Sequence, residues 1–336
     1  MRIFAGKGFA QIFFVMLVVL VIAMIVSMAF GTYPISLANL VSGALDATES
    51  QVLTELRIPR VLTACIAGGA FAITGAALQS MFRNPLADPG LLGVPAAAGL
   101  GAAVAIVFFA NASAYAVWPG ALIGAVCAVV ALIAFAQRGG ADSTATLLLL
   151  GIAMNAACGA GLALITSLAT ESQLRTLSFW MLGSFANVAW PVVISMTVCC
   201  AIAAMVLLRD ANALAALAFG ERTARTLGVN VRALRARSAI ACAVLIAVVT
   251  AFCGNVAFVG LAAPHLARML VGAHPRGVLW LSILIGALLS VLADIVARSI
   301  AAPAELPVGA ITSIIGVPLL VLLILRAGHR GAGAPH

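Results

Sequence analysis

The sequence predicts an all-α, polytopic membrane protein with about ten transmembrane helices in one domain, residues 1–336. Three observations carry this. The chain is 64% hydrophobic and 8% charged, with a mean hydropathy of +1.20, far from the balance of a soluble globular protein. Its eighteen Lys and Arg and ten Asp and Glu gather in short connectors between apolar runs. Those runs are about 20 residues long, the length at which a helix crosses a bilayer. They do not alternate apolar with polar residues, which excludes a membrane β-barrel.

Each element follows from these runs. Arg2 and Lys7 precede an apolar run from Phe9 to Phe30. Ser27-Met28-Ala29 loosely resembles a signal-peptide cleavage site, but 22 residues exceed the usual apolar core of such a peptide, so the run reads as a retained first span. A mixed connector, residues 31–58, carries Asp46, Glu49, Glu55 and Arg57. Val61 to Phe82 is a second span whose Gly68, Gly69 and Gly75 let helix backbones approach closely. Arg83 to Pro89 is a tight polar turn, with Asn84, Pro85 and Asp88 as its structural residues. Leu91 to Phe109 and Trp118 to Ala136 are the third and fourth spans. Gly120 and Gly124 form a G-x-x-x-G pair in the fourth, read as tight packing within one subunit rather than dimerisation. Ala145 to Leu168 spans again, and residues 169–190 read as a connector with Glu171, Arg175 and Trp180. Pro191 to Leu208 leads into a polar stretch, Arg209 to Arg237. Ser238 to Gly272 is too long for one span and is broken by Gly254, Asn255, Gly260 and Pro264. It divides into a full span to about Ala257 and a shorter segment from Ala262 to Gly272. Val278 to about Ala297 and Leu306 to Leu325 complete ten.

Charge sets the topology. Both terminal segments are basic, which places both termini in the cytoplasm and makes the number of crossings even. Ten crossings leave fourteen basic residues inside and only Arg57, Arg60, Arg175 and Arg298 outside, as the positive-inside rule requires. The pI near 9.7 therefore reflects cytoplasmic arginine rather than nucleic-acid binding. The 209–237 stretch is then cytoplasmic. It holds six arginines against Asp210 and Glu221, and its glycines divide it into two short helices. Glu221 suits the positive end of a helix dipole, and Gly228 suits a helix end that needs a positive φ.

The chemistry that is missing is equally informative. Lys7 is the only lysine, and Gly6-Lys7-Gly8 is not a phosphate-cradling loop, so the chain does not bind ATP in that way. The four histidines do not cluster and the seven cysteines lie in apolar runs without C-x-x-C spacing, so no metal site is expected. Asp294 and Arg298, four apart on one helical face, read either as a proton relay or as a structural ion pair. His265 and Arg268, beside Pro264 and the bend at Gly260, read as a hydrogen-bonded packing element, with a substrate ligand at His265 as the alternative.

Several motifs follow one another in a single order between residues 57 and 318. They are Arg57-Ile-Pro-Arg60, Arg83-Asn-Pro-Leu-Ala-Asp-Pro-Gly-Leu-Leu-Gly93, Trp180-Met-Leu-Gly-Ser184 and Phe219-Gly-Glu-Arg-Thr-Ala-Arg-Thr-Leu-Gly228. Gly254-Asn-Val-Ala-Phe-Val-Gly-Leu-Ala-Ala-Pro-His265, Asp294-Ile-Val-Ala-Arg298 and Glu305-Leu-Pro-Val-Gly309 continue the series. Together they resemble the permease subunits of the ABC importers for iron-siderophores, haem and cobalamin. After Val94 this chain departs, with Pro95-Ala-Ala-Ala98 where that family usually has small Ser and Gly residues.

The resemblance implies a permease of the bacterial inner membrane working as a homodimer, with the substrate path at the dimer axis. It also implies two cytoplasmic ATPase subunits, which bind ATP and Mg²⁺ that this chain does not, and one periplasmic binding protein. Arg57, Arg60 and Arg298 would meet acidic residues of the binding protein as exposed ion pairs; pairing with Glu55 or Asp294 is the alternative. Phe219, Gly220, Glu221, Arg222, Arg225, Leu227 and Gly228 would form the coupling helices. Arg232, Arg235 and Arg237 would face lipid headgroups. Trp180, Gly183 and Ser184 would lie on the translocation path, with Arg175 greeting an anionic cargo. The run from Arg83 to Gly93 looks most like haem permeases; ferric siderophore and cobalamin are the alternatives, and a proton-coupled secondary transporter is the more distant one.

Overall fold

The computed structural model describes residues 7–318 apart from 32, 34, 37–38, 40–41, 110–113, 139–143, 187 and 302–303. Arg2, Arg326 and Arg330, on which the expectation about the termini rests, lie outside these residues. The described chain is a helical bundle. Seven of its helices are long and apolar enough to cross a membrane, and three shorter apolar helices bring the set to the ten segments expected.

The first is α1, Lys7–Ala29. The connector expected over 31–58 is instead helical from Ala47. Asp46 caps α2, Ala47–Gln51, by accepting from the Glu49 N–H at 2.6 Å, while Glu49 accepts from the Asp46 N–H at 3.0 Å. A π-helical turn, Val52–Arg57, carries the chain on into α3, Ile58–Phe82. Acidic residues hid this extension from a hydropathy reading. A 3₁₀ turn, Pro89–Leu92, precedes α4, Val94–Phe108, and Gly93 joins them at φ +75°. Then come α5, Ala114–Gln137, and α6, Thr144–Thr166.

The second expected connector also contains a helix, α7, Glu171–Met181, started by a capping box of Thr170 and Gln173. It is short and strongly two-faced, so it has no apolar run for hydropathy to register. The chain continues through α8, Trp190–Arg209, and two short helices, α9, Ala211–Ala218, and α10, Glu221–Thr226. Next is α11, Val231–Cys253, whose first turns include Arg232, Arg235 and Arg237, so these arginines are helical rather than part of a loop. Finally come α12, Val259–Val271, α13, Pro275–Ser299, and α14, Val308–Pro318.

Helix α3 is the centre, packed on α8, α11, α12 and α13. It can be central because its glycines leave room for neighbouring backbones. A Cβ on Gly68 would stand 2.1 Å from the Gly286 carbonyl oxygen of α13, and one on Gly286 would stand 2.3 Å from that of Gly68. Lipid tails are as apolar as the helix surfaces, so such close van der Waals packing, not hydrophobic burial, holds membrane helices together. The Gly120 and Gly124 pair works the same way: added Cβ atoms would meet the carbonyls of Gly101 and Ala97 on α4 of the same chain.

Long-range contacts orient the bundle. Arg60 at the start of α3 meets Asp294 near the end of α13, so these helices are antiparallel. Phe9 lies beside Gly277, and Ser27 accepts from Arg298, so α1 and α13 are parallel. Helix α9 packs on α3 and α13, and Gly220 lies beside the Arg83 guanidinium. One end of the bundle thus holds Arg83, α9, α10 and the starts of α1 and α13. The opposite end holds Arg57, Arg60, Arg298 and Glu305, the partition that the charge count expects.

Candidate functional site

Three groups of residues, at the two ends and in the interior, make up the candidate site. At the end opposite α9 and α10, Arg60 donates to Asp294 at 2.9 Å and to Glu305 at 2.7 Å. Arg298 pairs with the other Asp294 oxygen at 3.1 Å and donates to Ser27 Oγ at 2.7 Å and the Phe30 carbonyl at 3.0 Å. Arg57 donates to the Ala29 carbonyl at 2.9 Å and to those of Met28 and Tyr33. The last carbonyls of a helix lack partners within it. Here two arginines satisfy those of α1, which ties α1 to α3 and α13. The exposure expected of these arginines is therefore not found: Arg57 and Arg298 are only 5% and 7% exposed. Asp294, not Glu55, is the carboxylate that Arg60 and Arg298 gather around, and the open member is Glu305, with 42% of its side chain exposed.

In the interior, three of the sequence motifs meet. The Ser184 N–H donates to the Cys253 carbonyl at 2.9 Å, while the N–H groups of Val308 and Gly309 donate to the carbonyls of Gly183 and Leu182 at 3.0 and 2.8 Å. Gly183 adopts φ +80° in this knot, and a Cβ there would stand 2.8 Å from the Asn255 carbonyl oxygen. Gly183 and Ser184 thus bind three chain segments together. Trp180 and Asn255 face a cavity of about 440 Å³, together with Asp88, Asn155, Thr250 and Phe258. The Trp180 indole nitrogen and the Thr250 hydroxyl are buried without hydrogen-bond partners among the described residues.

The polar turn supplies the cavity floor. Asn84 accepts from the Leu86 N–H at 2.9 Å, and Asp88 accepts from the Gly90 N–H at 2.8 Å, capping the 3₁₀ turn, while Pro85 is exposed. Burial raises the Asp88 carboxyl above its usual range, against the opposing pull of that hydrogen bond. At the bend, Gly260 sits so close to Pro89 that a Cβ would approach its ring to 2.7 Å, and Pro264 is buried within α12. The hydrogen-bonded role expected of His265 and Arg268 is not found. His265 makes no hydrogen bond to the described residues, and one Arg268 guanidinium nitrogen is buried without a partner among them. Arg175 lies away from the cavity, 71% exposed and 3.8 Å from Glu171.

At the opposite end, Gly220 at φ +114° and Gly228 at φ +79° bracket α10. Phe219 and Leu227 are 79% and 66% exposed, and Arg222 is exposed beside them. Glu221 is turned inward. It accepts from buried Arg235 of α11, a bond that holds its carboxyl below the usual range, and lies 3.7 Å from Arg225. Arg237 pairs with Asp210 at 2.9 Å. Arg235 and Arg237 are therefore engaged by protein carboxylates, contrary to the headgroup role expected of them.

Residue-type reasoning missed Asn155. Asn155 had a signal, an amide inside an apolar run, where a polar side chain must find a partner. It donates to the Gly90 carbonyl at 3.0 Å and so braces the 3₁₀ turn. Phe258 belongs to the apolar bend that the sequence places against protein or a cavity; it starts α12 at φ +64°, a left-handed conformation that costs about 1–2 kcal/mol for such a residue.

With this geometry established, the likeness to known proteins is informative. The model of the FecCD transport family matches residues 19–326. The hemin transport system permease protein HmuU of Yersinia pestis is 37% identical over 95% of this chain and 96% of its own. The molybdate import system permease protein MolB of Haemophilus influenzae is 31% identical over 96% and 98%. The vitamin B12 import system permease protein BtuC of Vibrio cholerae is 34% identical over 84% and 85%. A solved inward-facing ABC transporter, described as of metal-chelate type, superposes with a TM-score of 0.85 at 32% identity, over 94% of this chain and 99% of that one.

Proposed function

The chain belongs to the FecCD transport family as the membrane-spanning permease of an ABC importer, a multi-pass protein of the bacterial inner membrane, and we propose that its cargo is haem. The observation that carries this reading is the 37% identity to a hemin permease over nearly the whole of both chains. The run from Arg83 to Gly93 supports it. Cobalamin is the second reading, favoured by the 34% identity to a vitamin B12 permease. The proton-coupled alternative rested on Asp294, whose two oxygens are engaged by Arg60 and Arg298.

In this reading a second copy of the chain completes the path, and two cytoplasmic ATPases carry ATP and Mg²⁺. A periplasmic binding protein seats on the outer cluster around Arg57, Arg60 and Arg298. Phe219 and Leu227, projecting from the bracketed α10, are the surface an ATPase grips. Displacement passes inward through Glu221 to Arg235 and through Asp210 to Arg237, both near the start of α11. That helix is 23 residues long, about 34 Å, and ends at Gly254 in the interior knot. Trp180 and Asn255 of the knot line the cavity, so one rigid rod joins the coupling helices to the path.

The test is uptake into proteoliposomes holding the permease, its ATPase and its binding protein. ATP-dependent haem accumulation, with cobalamin, a ferric siderophore and molybdate each excluded, is the expected result. Import of one of those cargoes in place of haem overturns the cargo. Uptake that follows a proton gradient and ignores ATP overturns the coupling.

A further inference from the structure

A groove of about 630 Å³ lies between the starts of α1 and α13, separate from the candidate path. Its walls are apolar: Phe9 and Phe13 have ring centroids 6.0 Å apart, and Phe13 meets Trp280 edge-on at 6.5 Å. Gly277 leaves its floor open, where a Cβ would reach ordinary contact with Val271 at 3.4 Å and Phe9 at 3.5 Å. Both helices are candidate membrane spans, so the slot opens sideways into lipid.

One end of the groove is cationic. His274 and Arg276 line it and are exposed, at the start of a 25-residue helix whose first N–H groups favour an anion. Neither makes a hydrogen bond or ion pair with the described residues. The sequence explains why: residues 1–45 and 222–293, which include every element of the groove, contain no Asp or Glu. Arg235 and Arg237 find carboxylates elsewhere in the chain; Arg276 finds none among the described residues. Its charge is therefore open to an anion from beyond the described residues.

We propose that this groove binds an anionic phospholipid of the leaflet on the α9–α10 side. The phosphate diester sits on Arg276 and His274, and one acyl chain lies in the aromatic slot between α1 and α13. A zwitterionic lipid fits less well, because its own ammonium group competes for the phosphate that Arg276 would take.

The full chain, purified in mild detergent, is offered equimolar phosphatidylglycerol, phosphatidylethanolamine and phosphatidylcholine, and retained lipid is read by native mass spectrometry. Phosphatidylglycerol is expected to be retained about fivefold over either zwitterionic lipid, the preference that one arginine confers near an anionic headgroup. Arg276→Gln and Gly277→Leu each remove that preference. Arg276→Lys keeps it, and so does Arg138→Gln, an exposed arginine outside the groove. Thermal melting and monodispersity show that each variant is folded. If Arg276→Gln or Gly277→Leu fails to fold, lipid selectivity of the native chain decides. Equal retention of the three lipids, full preference in a folded Arg276→Gln, or displacement by millimolar inorganic phosphate overturns the proposal.

Discussion

Two carboxylates, Asp294 and Asp88, sit in surroundings that make opposite demands. Asp294 is fully buried between Arg60 and Arg298. Replacing it by Leu leaves buried Arg298 without a carboxylate and Arg60 with Glu305 alone, and breaking a buried pair in this way costs about 3–5 kcal/mol. Asp294→Leu is thus expected to lower the melting temperature in detergent sharply. Arg175→Gln, at an exposed pair, shifts stability by about 0.5 kcal/mol or less. Asp88 is instead penalised for its charge. Its folded pKa is raised, so the folded chain holds the proton more tightly than the unfolded one. Stability is then greatest below the ordinary value of 3.8 and declines as pH rises through the raised value. Asp88→Asn keeps the cap and removes this dependence. The melting-temperature gain of Asp88→Asn over the native chain should widen from about pH 4 to about pH 8; a gain that is flat across that range contradicts it.

Among the elements, α10 and the glycine contacts carry the clearest consequences. The Ala224 N–H donates to the Gly220 carbonyl at 3.0 Å, and the side chain is fully buried. Ala224→Pro removes that bond and breaks the helix at a cost of about 3 kcal/mol. Transport-linked ATP hydrolysis should be lost while folding of the bundle persists; hydrolysis that stays coupled would make α9 and α10 a membrane anchor only. Gly286→Ala forces a Cβ to within 2.3 Å of the Gly68 carbonyl, and overpacking of this kind costs about 1–3 kcal/mol. Gly159→Ala meets nothing within 4 Å and exchanges a poor helix former for the best one, so it should be neutral or stabilising. Paired melting curves of the two variants read the difference directly.

For the whole molecule, the cluster around Asp294 is where the proposed docking of a binding protein meets the architecture. Arg60 is already held by Asp294 and Glu305, so an acidic binding protein must compete with Glu305 for it. Glu305→Ala should therefore raise the rate of binding-protein capture at low salt several-fold. The gain should fade at about 1 M salt, where the Debye length is about 3 Å. An unchanged rate at low salt would leave the cluster a structural tie between α1, α3 and α13. On the proposed function the same architecture carries force the other way, because α11 runs from the Glu221–Arg235 contact to the knot at Gly254.

The ten apolar helices, close packing at Gly120 and Gly124 within one chain and the grouping of the described arginines at two ends of the bundle were legible in the sequence. Run length, small-residue spacing and charge sign are local properties, and the bilayer acts on them directly. The helices over 47–57 and 171–181 were not, since acidic or two-faced segments leave no apolar run. Contacts between distant residues were also beyond its reach. Arg60 and Asp294 are 234 positions apart, and only folding brings them together. That pairing turns arginines counted as outward-facing into buried ties. Glu221 likewise becomes a link to Arg235 rather than a surface contact. Trp180 and Asp88, assigned separate roles, come to line one cavity. By itself the sequence determined which segments are apolar and long enough to enter the membrane and how the described charges group at two ends of the bundle, because one residue at a time meets the bilayer. The tertiary structure alone decided which charges neutralise one another, because that depends on where whole helices come to rest.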